Sequence, residues 1–247
     1  MVSVPFGDRI ENSIIRELSD GNTVSYIETA SDHWIVFAST GVPVVEKLQL
    51  PTSLFLLDMY VFGEQVYFCG TDIQTARGVW GWFDNNAANM ASNGLTLYSG
   101  FQCSGYDVDS LKSLVVYSRG TNLFSALVGS SENSQGDQRA CTVSISGSAG
   151  IPTGWSYGIG ISSDTAERMT KTCLTDSYVV ATGVSHSNYR SEMYRIHNRY
   201  NMWDGQADRR YYFPWGGVDN SDHYWDPFAL THLGGDTIAT ASPFKSL

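Results

Sequence analysis

The chain has 247 residues, of which 16% are charged and 13% aromatic, and its formal net charge is −10 at pH 7. An acidic surface repels nucleic acid and anionic lipid, so neither is expected as a partner. The sequence has no continuous apolar run of 18 residues, so it predicts no membrane-spanning segment. Its length allows one large domain with a substantial core.

The N-terminal residues 1–22 contain two candidate strands, at residues 2–6 and 13–18. The turn Asp20-Gly21-Asn22 joins the second of them to residues 23–27, which predicts a β-hairpin. The opening Met1-Val2-Ser3 lacks the basic start and apolar core of a secretory leader. The protein is therefore expected to be cytoplasmic if Met1 is the native start. If a leader has been removed, it is expected to be exported, to the periplasm or the cell surface.

One short pattern recurs along the chain and predicts a repeated buried strand. A polar or glycine turn is followed by four or five apolar or β-branched residues and then by a small residue, which is typical of a strand buried on both faces. The five copies lie at residues 31–39, 63–70, 110–118, 175–183 and 234–242. Repeats of about 50 residues indicate solenoids, propellers or arrays.

Further candidate strands flank each copy of the pattern. The preceding strands are predicted at residues 23–30, 57–62, 105–109, 169–175 and 228–233. Following strands are predicted at residues 42–50, 78–83, 122–129 and 192–197, with fourth strands at 95–101, 141–147 and 210–213. Three or four antiparallel strands in each unit of about 50 residues are typical of a β-propeller blade.

The fold predicted is therefore all-β, a single five-bladed β-propeller domain over residues 1–247. The blades are expected at residues 23–56, 57–104, 105–168, 169–227 and 228–247, with residues 1–22 completing the last blade and closing the ring. Closure protects the edge strands from pairing with other chains. The alternatives are a β-sandwich, which also has short strands and many turns, and a truncated larger propeller.

An aromatic segment at residues 199–228 follows the fourth repeat and breaks its pattern. Two of its tryptophans directly precede a carboxylate, which suits a sugar subsite because the ring stacks on the sugar and the carboxylate accepts its hydroxyl protons. The candidate ligand-binding residues are Trp203, Asp204, Tyr212, Trp215, Trp225 and Asp226. The alternative is that these aromatic side chains pack against their own blade. Trp80 and Trp82, which alternate in another strand, are predicted to be strand core.

Four aspartates recur near the buried strands, namely Asp58, Asp107, Asp176 and Asp236. Aspartate stabilises tight turns through its own side chain, so this recurrence predicts a structural role. A catalytic pair would instead be expected to break the repeat. Some five-bladed propellers are glycoside hydrolases with two or three carboxylates near the axis, and that alternative remains open.

The usual catalytic, cofactor and metal motifs are missing, so no cofactor, metal or catalytic residue is predicted. The histidines are scattered, and a single histidine on a strand is more often structural than a ligand. Cys69 and Cys173 lie on predicted strands and are expected to be buried thiols. The disulfide state of the set Cys69, Cys103, Cys141 and Cys173 is left open by the sequence.

Residues 58–71, continuing to Gly78-Val79-Trp80-Gly81-Trp82-Phe83-Asp84, resemble repeats in uncharacterised β-propeller-like proteins of gut Bacteroides-type bacteria. Residues 175–183 and 195–198 are similar in the same way. The resemblance implies a propeller fold and export from the cell, and it implies no particular activity.

Together these patterns predict a non-catalytic binding module that recognises glycan or another extracellular polymer through its loops. One alternative is a glycoside hydrolase or lyase with carboxylates at the propeller axis. Another is a protein–protein scaffold, which requires a contiguous exposed apolar patch. The oligomeric state is left open.

Overall fold

A computed structural model describes residues 9–38, 41–103, 106–132, 138–148, 151–158, 167–185, 190–198, 209–212 and 229–241. These residues form antiparallel β-sheets with one short helix, which confirms the all-β prediction. The chain divides into two compact units, Met1–Ser99 and Gly100–Leu247.

The first unit contains two four-stranded sheets. The first sheet comprises β1 (Ile10–Glu17), β2 (Thr23–Thr29), β3 (His33–Ala38) and β4 (Val44–Leu48). The second comprises β5 (Leu54–Phe62), β6 (Gln65–Asp72), β7 (Arg77–Asp84) and β8 (Leu95–Ser99), with the helix α1 (Ala87–Asn93) between β7 and β8.

The second unit contains three sheets within the described residues. The third sheet comprises β9 (Gln102–Cys103), β10 (Tyr106–Arg119), β11 (Asn122–Glu132), β12 (Gln138–Ser148) and β13 (Ile151–Gly158). The fourth comprises β14 (Glu167–Leu174), β15 (Tyr178–Ser185), β16 (Arg190–Asn198) and β17 (Arg209–Tyr212). The fifth comprises β18 (Ala229–Gly234) and β19 (Thr237–Ala241). In every sheet, strands that are consecutive in the chain are neighbours, so each sheet is an antiparallel meander.

A β-bulge recurs in the first long strand of each of these five sheets. One extra residue in β1, β5, β14 and β18, and two in β10, shift the pairing with the next strand. The extra residues are Glu11, Leu57, Asp109, Lys112, Thr170 and Leu233. A bulge bends its strand and increases its twist. The five sheets therefore repeat a local backbone feature as well as a strand order.

In two of these sheets a glycine of the next strand lies opposite the bulge. Gly70 of β6 pairs with Leu56, and Gly129 of β11 pairs with Leu111, in each case at the residue just before a bulge. A Cβ atom at Gly70 would lie 1.9 Å from the backbone oxygen of Phe55. At Gly129 it would lie 1.9 Å from the backbone oxygen of Ser110. Glycine is therefore required because the neighbouring backbone approaches too closely for any side chain.

The structure corrects the alignment of the repeat in two of its five copies. Residues 63–70, 175–183 and 234–242 contain second strands, whereas residues 31–39 contain the third strand β3, and 110–118 lie in the first long strand β10. The alignment was wrong there because any interior strand buried on both faces has the same short apolar pattern. The second strands begin at Thr23, Gln65, Asn122, Tyr178 and Thr237, so they start 42, 57, 56 and 59 residues apart.

Two further predictions for individual strands were wrong. Residues 10–17 form β1, which pairs with β2 in the first sheet, so this strand does not complete the last sheet as predicted. Residues 105–109 are not a separate strand, because residues 106–109 belong to the long strand β10. The predicted hairpin around Asp20-Gly21-Asn22 is confirmed by the pairing of Glu17 with Thr23. Residues 2–6 lie outside the described residues.

The core of the first unit lies between its two sheets. Tyr26 and Ile35 of the first sheet and Leu56 and Phe68 of the second are fully buried members of the same apolar cluster. Each fully buried side chain of this size contributes about 1.5–3 kcal/mol relative to an exposed one. The packing of the two sheets therefore depends on the alternate residues of each strand that face the cluster.

The opposite face of the second sheet contains the two alternating tryptophans. Trp80 is 2% exposed and its ring packs against Tyr67 and Tyr98, at centroid distances of 6.0 and 5.7 Å, which confirms it as strand core. Trp82 is half-buried. Neither indole N–H has a hydrogen-bond acceptor among the described residues.

The two strand cysteines are buried thiols, as predicted for Cys69 and Cys173. Cys69 is fully buried on β6, and Cys173 is 7% exposed on β14. Burial raises the pKa of the Cys173 thiol, because the charged thiolate loses its hydration there. A thiol with a raised pKa is a weak nucleophile, so Cys173 is suited to packing rather than to chemistry.

Candidate functional site

An open cleft lies in the first unit at the end of the first sheet, beside helix α1. Its volume is about 540 Å³, within the range of small-molecule sites. Aliphatic side chains and alanines form much of its surface, and short polar side chains surround them. The lining residues are Leu18, Ser19, Asp20, Asn22, Thr23, Phe37, Ala38, Val44, Glu46, Asn85, Asn86, Ala87, Ala88 and Ala91.

The β1–β2 turn forms one wall of the cleft. Gly21 has φ +80°, a left-handed conformation that glycine adopts without strain, and its N–H donates to the Leu18 carbonyl at 3.0 Å. The Asp20 carboxylate accepts hydrogen bonds from the Asn22 backbone N–H at 3.0 Å and from the Asn22 side-chain amide at 2.6 Å. These bonds hold the exposed Asp20 carboxylate in place at the rim.

Helix α1 forms the opposite wall. The Asn86 side chain caps its N-terminus by accepting from the backbone N–H groups of Ala88 and Asn89, at 2.9 and 3.4 Å. Gly94, with φ +72°, ends it. Met90 is buried in the core, which leaves the exposed Ala88 and Ala91 at the cleft. This helix was not predicted from the sequence, although asparagine before an alanine-rich run and glycine after it are ordinary capping signals.

Strand β4 contributes the second carboxylate of the cleft. Glu46 pairs with Ile35, and Val44 pairs with Phe37, so these β4 residues lie on the side of the sheet that faces the core. Glu46 is half-buried and Val44 is 44% exposed, because β4 is at the open end of this core. The side chain of Glu46 therefore lines the cleft rather than the packed interior.

The charge of the cleft is negative. Among the described residues that line it, Asp20 and Glu46 are acidic and none is basic. The amides of Asn22, Asn85 and Asn86 add both donors and acceptors, although the Asn85 amide already donates to the Gly63 carbonyl at 3.1 Å. Such a surface can accept hydrogen bonds from hydroxyl or ammonium groups while its apolar lining residues contact apolar atoms.

Asp58 is held in a structural contact. It lies 5% exposed at the bulge of β5, where its carboxylate pairs with the Arg16 guanidinium of β1 and accepts from the Met59 N–H at 3.0 Å. Arg16 also donates through Nε to the Met59 carbonyl at 2.6 Å. The pair joins the first strands of the two sheets, so Asp58 acts in strand packing and not in a turn.

Asp236 and Asp176 connect the turns of the fourth and fifth sheets. Asp236 accepts from the Thr175 hydroxyl at 2.8 Å and from the Ser177 N–H at 2.9 Å. The Thr175 hydrogen bond is the largest cause of the lowered pKa of Asp236. The Asp176 N–H donates to the Gly235 carbonyl at 3.0 Å. These contacts agree with the structural role predicted for the recurring aspartates.

Asp107, the remaining member of that group, lies on β10. Its carboxylate accepts a hydrogen bond from the Gln102 side-chain amide at 3.2 Å, across the β9–β10 pair. Asp107 is half-buried, so it too lies in the body of a sheet.

The predicted ligand residues of the aromatic segment lie almost entirely outside the described residues. Trp203, Asp204, Trp215, Trp225 and Asp226 fall there. Tyr212 ends strand β17 and pairs with Glu192 of β16. The role of these six residues in ligand binding therefore stays a prediction.

Two histidines have described surroundings. His33 is buried in the first unit. His232 lies next to the turn between β18 and β19, where its Nε2 is 2.9 Å from the Gly235 carbonyl oxygen. Within the described part of the chain, no group of three His, Cys, Asp or Glu side chains is placed to hold a metal ion. No helix among the described residues is long and apolar enough to cross a membrane.

Comparison with known proteins gives weak structural likenesses. No protein-family model matches this sequence, and no curated protein matches it significantly. The extracellular domains 1–2 of Drosophila Semaphorin 1a are similar with a TM-score of 0.46 and 11% identity, over 89% of this chain and 60% of that chain. A chain of a nidogen/laminin complex is similar with a TM-score of 0.27 and 11% identity, over 79% of this chain and 78% of that chain. Similarity at this level assigns neither a family nor a function.

Proposed function

We propose that this protein is a non-catalytic binding module of the β-propeller type. It recognises glycan or another extracellular polymer through its loops. The repeated meander supports the fold, because three of the five described sheets are four-stranded antiparallel meanders, as propeller blades are. The first strands of consecutive sheets also contact each other within each unit, as β1 does with β5 and β10 with β14. Five blades in one domain is the arrangement we propose.

The cleft beside α1 is the observation that carries the binding function. It combines an open concave shape with a lining of both polar and apolar side chains. Sugars present hydroxyl groups to acceptors such as Asp20 and Glu46, and they present C–H groups to apolar side chains. The aromatic segment at residues 199–228 is the second region that we propose to contact the polymer.

A non-catalytic role is favoured because the recurring aspartates already have structural partners. Asp58 is paired with Arg16, and Asp236 accepts from Thr175 and Ser177. Protonating these carboxylates or removing their partners would disturb strand packing or a turn. The hydrolase alternative then requires another pair of carboxylates at catalytic separation.

A glycan array with the intact protein tests this proposal, with each bound glycan examined for cleavage. Binding without cleavage is the expected result. Cleavage of a bound glycan would instead establish the glycoside hydrolase or lyase alternative. Binding to no glycan or polysaccharide on the array would overturn the glycan proposal.

Glu46→Gln is expected to weaken glycan binding about tenfold while leaving the melting temperature unchanged. The substitution preserves the shape of the side chain but removes the charge that strengthens its hydrogen bonds to ligand hydroxyl groups. Titration of a glycan identified on the array measures the effect. The matched control is Glu11→Gln, an exposed position at the opposite end of β1 from the cleft. If Glu46→Gln and Glu11→Gln bound the glycan with equal affinity, the cleft could not be the glycan-binding site.

Trp225→Ala is expected to leave the fold intact and to weaken binding of the same glycan. A tryptophan ring that stacks on a sugar buries a large apolar face, and alanine would lose that contact. Thermal unfolding and the glycan titration together measure the two effects. Loss of folding would show that Trp225 belongs to the core and does not contact the ligand.

A protein ligand is the second candidate, and the surface next to the cleft favours it. Val42, just before the edge strand β4, is 77% exposed, and Val44, the first residue of β4, is 44% exposed. With two carboxylates and no basic residue in the described lining, the cleft would suit a peptide that presents both apolar and basic side chains. Binding of such peptides, together with no binding to any glycan on the array, would establish this candidate.

A further inference from the structure

A buried cluster of three titratable side chains lies on the hairpin formed by β2 and β3. Tyr26 is fully buried, and Glu28 and His33 are each 2% exposed. The Tyr26 hydroxyl oxygen lies 2.7 Å from His33 Nδ1 and 3.3 Å from Glu28 Oε2. The other ring nitrogen of His33, Nε2, lies 3.0 Å from the backbone oxygen of Pro51, in the segment between β4 and β5. Glu28 and His33 also face each other as paired residues of the two strands.

The positions of the protons in this hydrogen-bonded cluster follow from its donors and acceptors. The Pro51 carbonyl can only accept, so His33 Nε2 must carry a proton. In a neutral imidazole Nδ1 is then an acceptor, and it receives the Tyr26 hydroxyl proton. In this arrangement the Tyr26 oxygen has no second proton to donate, so a hydrogen bond with Glu28 needs a protonated carboxyl group that donates to it.

A second arrangement uses the same number of protons. In it, the Glu28 carboxyl proton passes to the Tyr26 oxygen while the Tyr26 hydroxyl proton passes to His33 Nδ1. His33 is then charged and donates from Nδ1 to Tyr26, and Tyr26 donates to the Glu28 carboxylate. Loss of this proton would leave the Glu28 carboxylate and the Tyr26 oxygen facing each other as two acceptors. Addition of another proton would leave a net positive charge in a buried site, which is costly. The cluster is therefore satisfied when Glu28 and His33 hold one proton between them.

The surroundings of the cluster contain few opposite charges. The Asn12 amide donates to Glu28 at 3.4 Å and to the Leu56 carbonyl at 2.8 Å. Asp32 interacts electrostatically with His33 but is paired with Lys47 of β4, and Glu11 of β1 interacts electrostatically with Glu28. A separate ion pair, between Arg16 of β1 and Asp58 of β5, joins the two sheets. No described cation thus forms an ion pair with Glu28.

We propose that Glu28 and His33, linked by the Tyr26 hydroxyl group, hold one titrating proton between them throughout the neutral range, in addition to the protons on Tyr26 and on His33 Nε2. The three residues then act as a pH-sensitive clasp within the first unit. The clasp joins the first sheet to the β4–β5 segment through Pro51 and to β5 through Asn12. This role is separate from ligand binding at the cleft, since none of its residues lines the cleft.

The clasp predicts a stability maximum between the ordinary pKa values of its two titrating groups. In the unfolded chain Glu28 releases its proton near pH 4.5 and His33 near pH 6.5. The unfolded chain therefore binds two protons below pH 4.5, one between these values and none above pH 6.5, whereas the folded cluster keeps one. Stability falls wherever the two states bind different numbers of protons, so it declines on both sides of this window.

The directions of the pKa shifts agree with this count. Burial raises the pKa of Glu28, so its contribution to stability is present at low pH and is lost as pH rises through the folded value. Burial lowers the pKa of His33, so its contribution is present above pH 6.5 and is lost as pH falls. Between the two ordinary values one contribution decreases while the other increases. Burial also raises the pKa of Tyr26, which keeps its hydroxyl proton.

The experiment compares denaturant unfolding of the parent protein, Glu28→Gln and Glu17→Gln from pH 4 to pH 9. The amide of Glu28→Gln donates to Tyr26 without a titrating proton. We expect the unfolding constant of the parent and of the exposed control Glu17→Gln to rise up to tenfold per pH unit above pH 6.5, relative to Glu28→Gln. Because the parent and Glu28→Gln differ in no titrating group except Glu28, curves that run parallel for these two proteins would overturn the proposal.

A measurement on the unaltered protein keeps the test decisive if Glu28→Gln fails to fold. Nitrogen-15 NMR of His33 reports which ring nitrogen carries a proton. We expect Nε2 to stay protonated and the ring to show no titration near pH 6.5. An ordinary titration of His33 with a midpoint near pH 6.5 would show that the cluster does not retain the proton.

Discussion

Val66→Asp is expected to unfold the protein at room temperature. Val66 is fully buried on the interior strand β6, where it pairs with Val61 of β5 and Phe83 of β7 in the core between the first two sheets. An aspartate there would be a buried charge among apolar side chains, and such substitutions cost about 4 kcal/mol or more. This loss is comparable with the total stability of a domain, about 5–15 kcal/mol.

Denaturant unfolding and circular dichroism measure this effect, and Ile73→Asp is the matched control. Ile73 is 62% exposed immediately after β6, so the same charge remains hydrated there and should change stability by less than about 0.5 kcal/mol. If Val66→Asp unfolded at the same denaturant concentration as the parent, β6 could not be a buried interior strand.

Gly70→Ala is expected to destabilise the protein by about 3 kcal/mol, although it adds only one methyl group. The new Cβ atom would lie 1.9 Å from the Phe55 oxygen and 2.8 Å from the Phe55 carbonyl carbon, both of them backbone atoms. A flexible side chain could move aside, but here the bulged strand β5 must shift as a whole. Equilibrium unfolding in denaturant measures the loss.

The matched control for this substitution is Gly63→Ala. Gly63 lies in the β5–β6 turn with φ +60° and with no atom within 4 Å of an added Cβ, so alanine there costs about 1–2 kcal/mol of backbone strain alone. Gly129→Ala should match Gly70→Ala, because its Cβ would meet the Ser110 oxygen at the same distance. Equal effects at Gly63 and Gly70 would show that the close approach of β5 to β6 is not a constraint.

The sequence predicted the strand content and the meander well, and it predicted the order of strands less well. Turn residues such as Asp20-Gly21-Asn22 and Gly234-Gly235-Asp236 mark real hairpins. Strand β3 and strand β10 were assigned to the wrong place in their units because both are buried enough to have short apolar runs. Their position within a sheet depends on pairing partners, which the apolar pattern does not contain.

The cleft could not be predicted in the same way. Asp20 and Glu46 are 26 positions apart in the sequence, and neither belongs to a motif. They approach one cleft because the end of the first sheet meets helix α1, an element inserted between two strands of the second sheet. The capping residues Asn86 and Gly94 were visible in the sequence, but their effect on the cleft depends on where Met90 packs.

The buried clasp shows the same division between local and tertiary information. The hairpin of β2 and β3 could be read from the sequence, and pairing across it places Glu28 beside His33. Their isolation from water could not be read, because it arises when the second sheet and Pro51 cover this face of the hairpin. Isolation from water is what changes two ordinary titrating groups into a pair that shares a proton.

The amino-acid sequence by itself determined that this protein is built from short antiparallel strands joined by tight turns. Those features depend on neighbouring residues: alternation of side chains, glycine and aspartate in turns, and a small residue opposite each close approach. Only the tertiary structure decided which strands begin each sheet, which aspartates pair with a cation or a turn, and which polar side chains surround the cleft. These depend on contacts between residues distant in the chain, and the free energy of each contact is set by the burial that the whole fold creates.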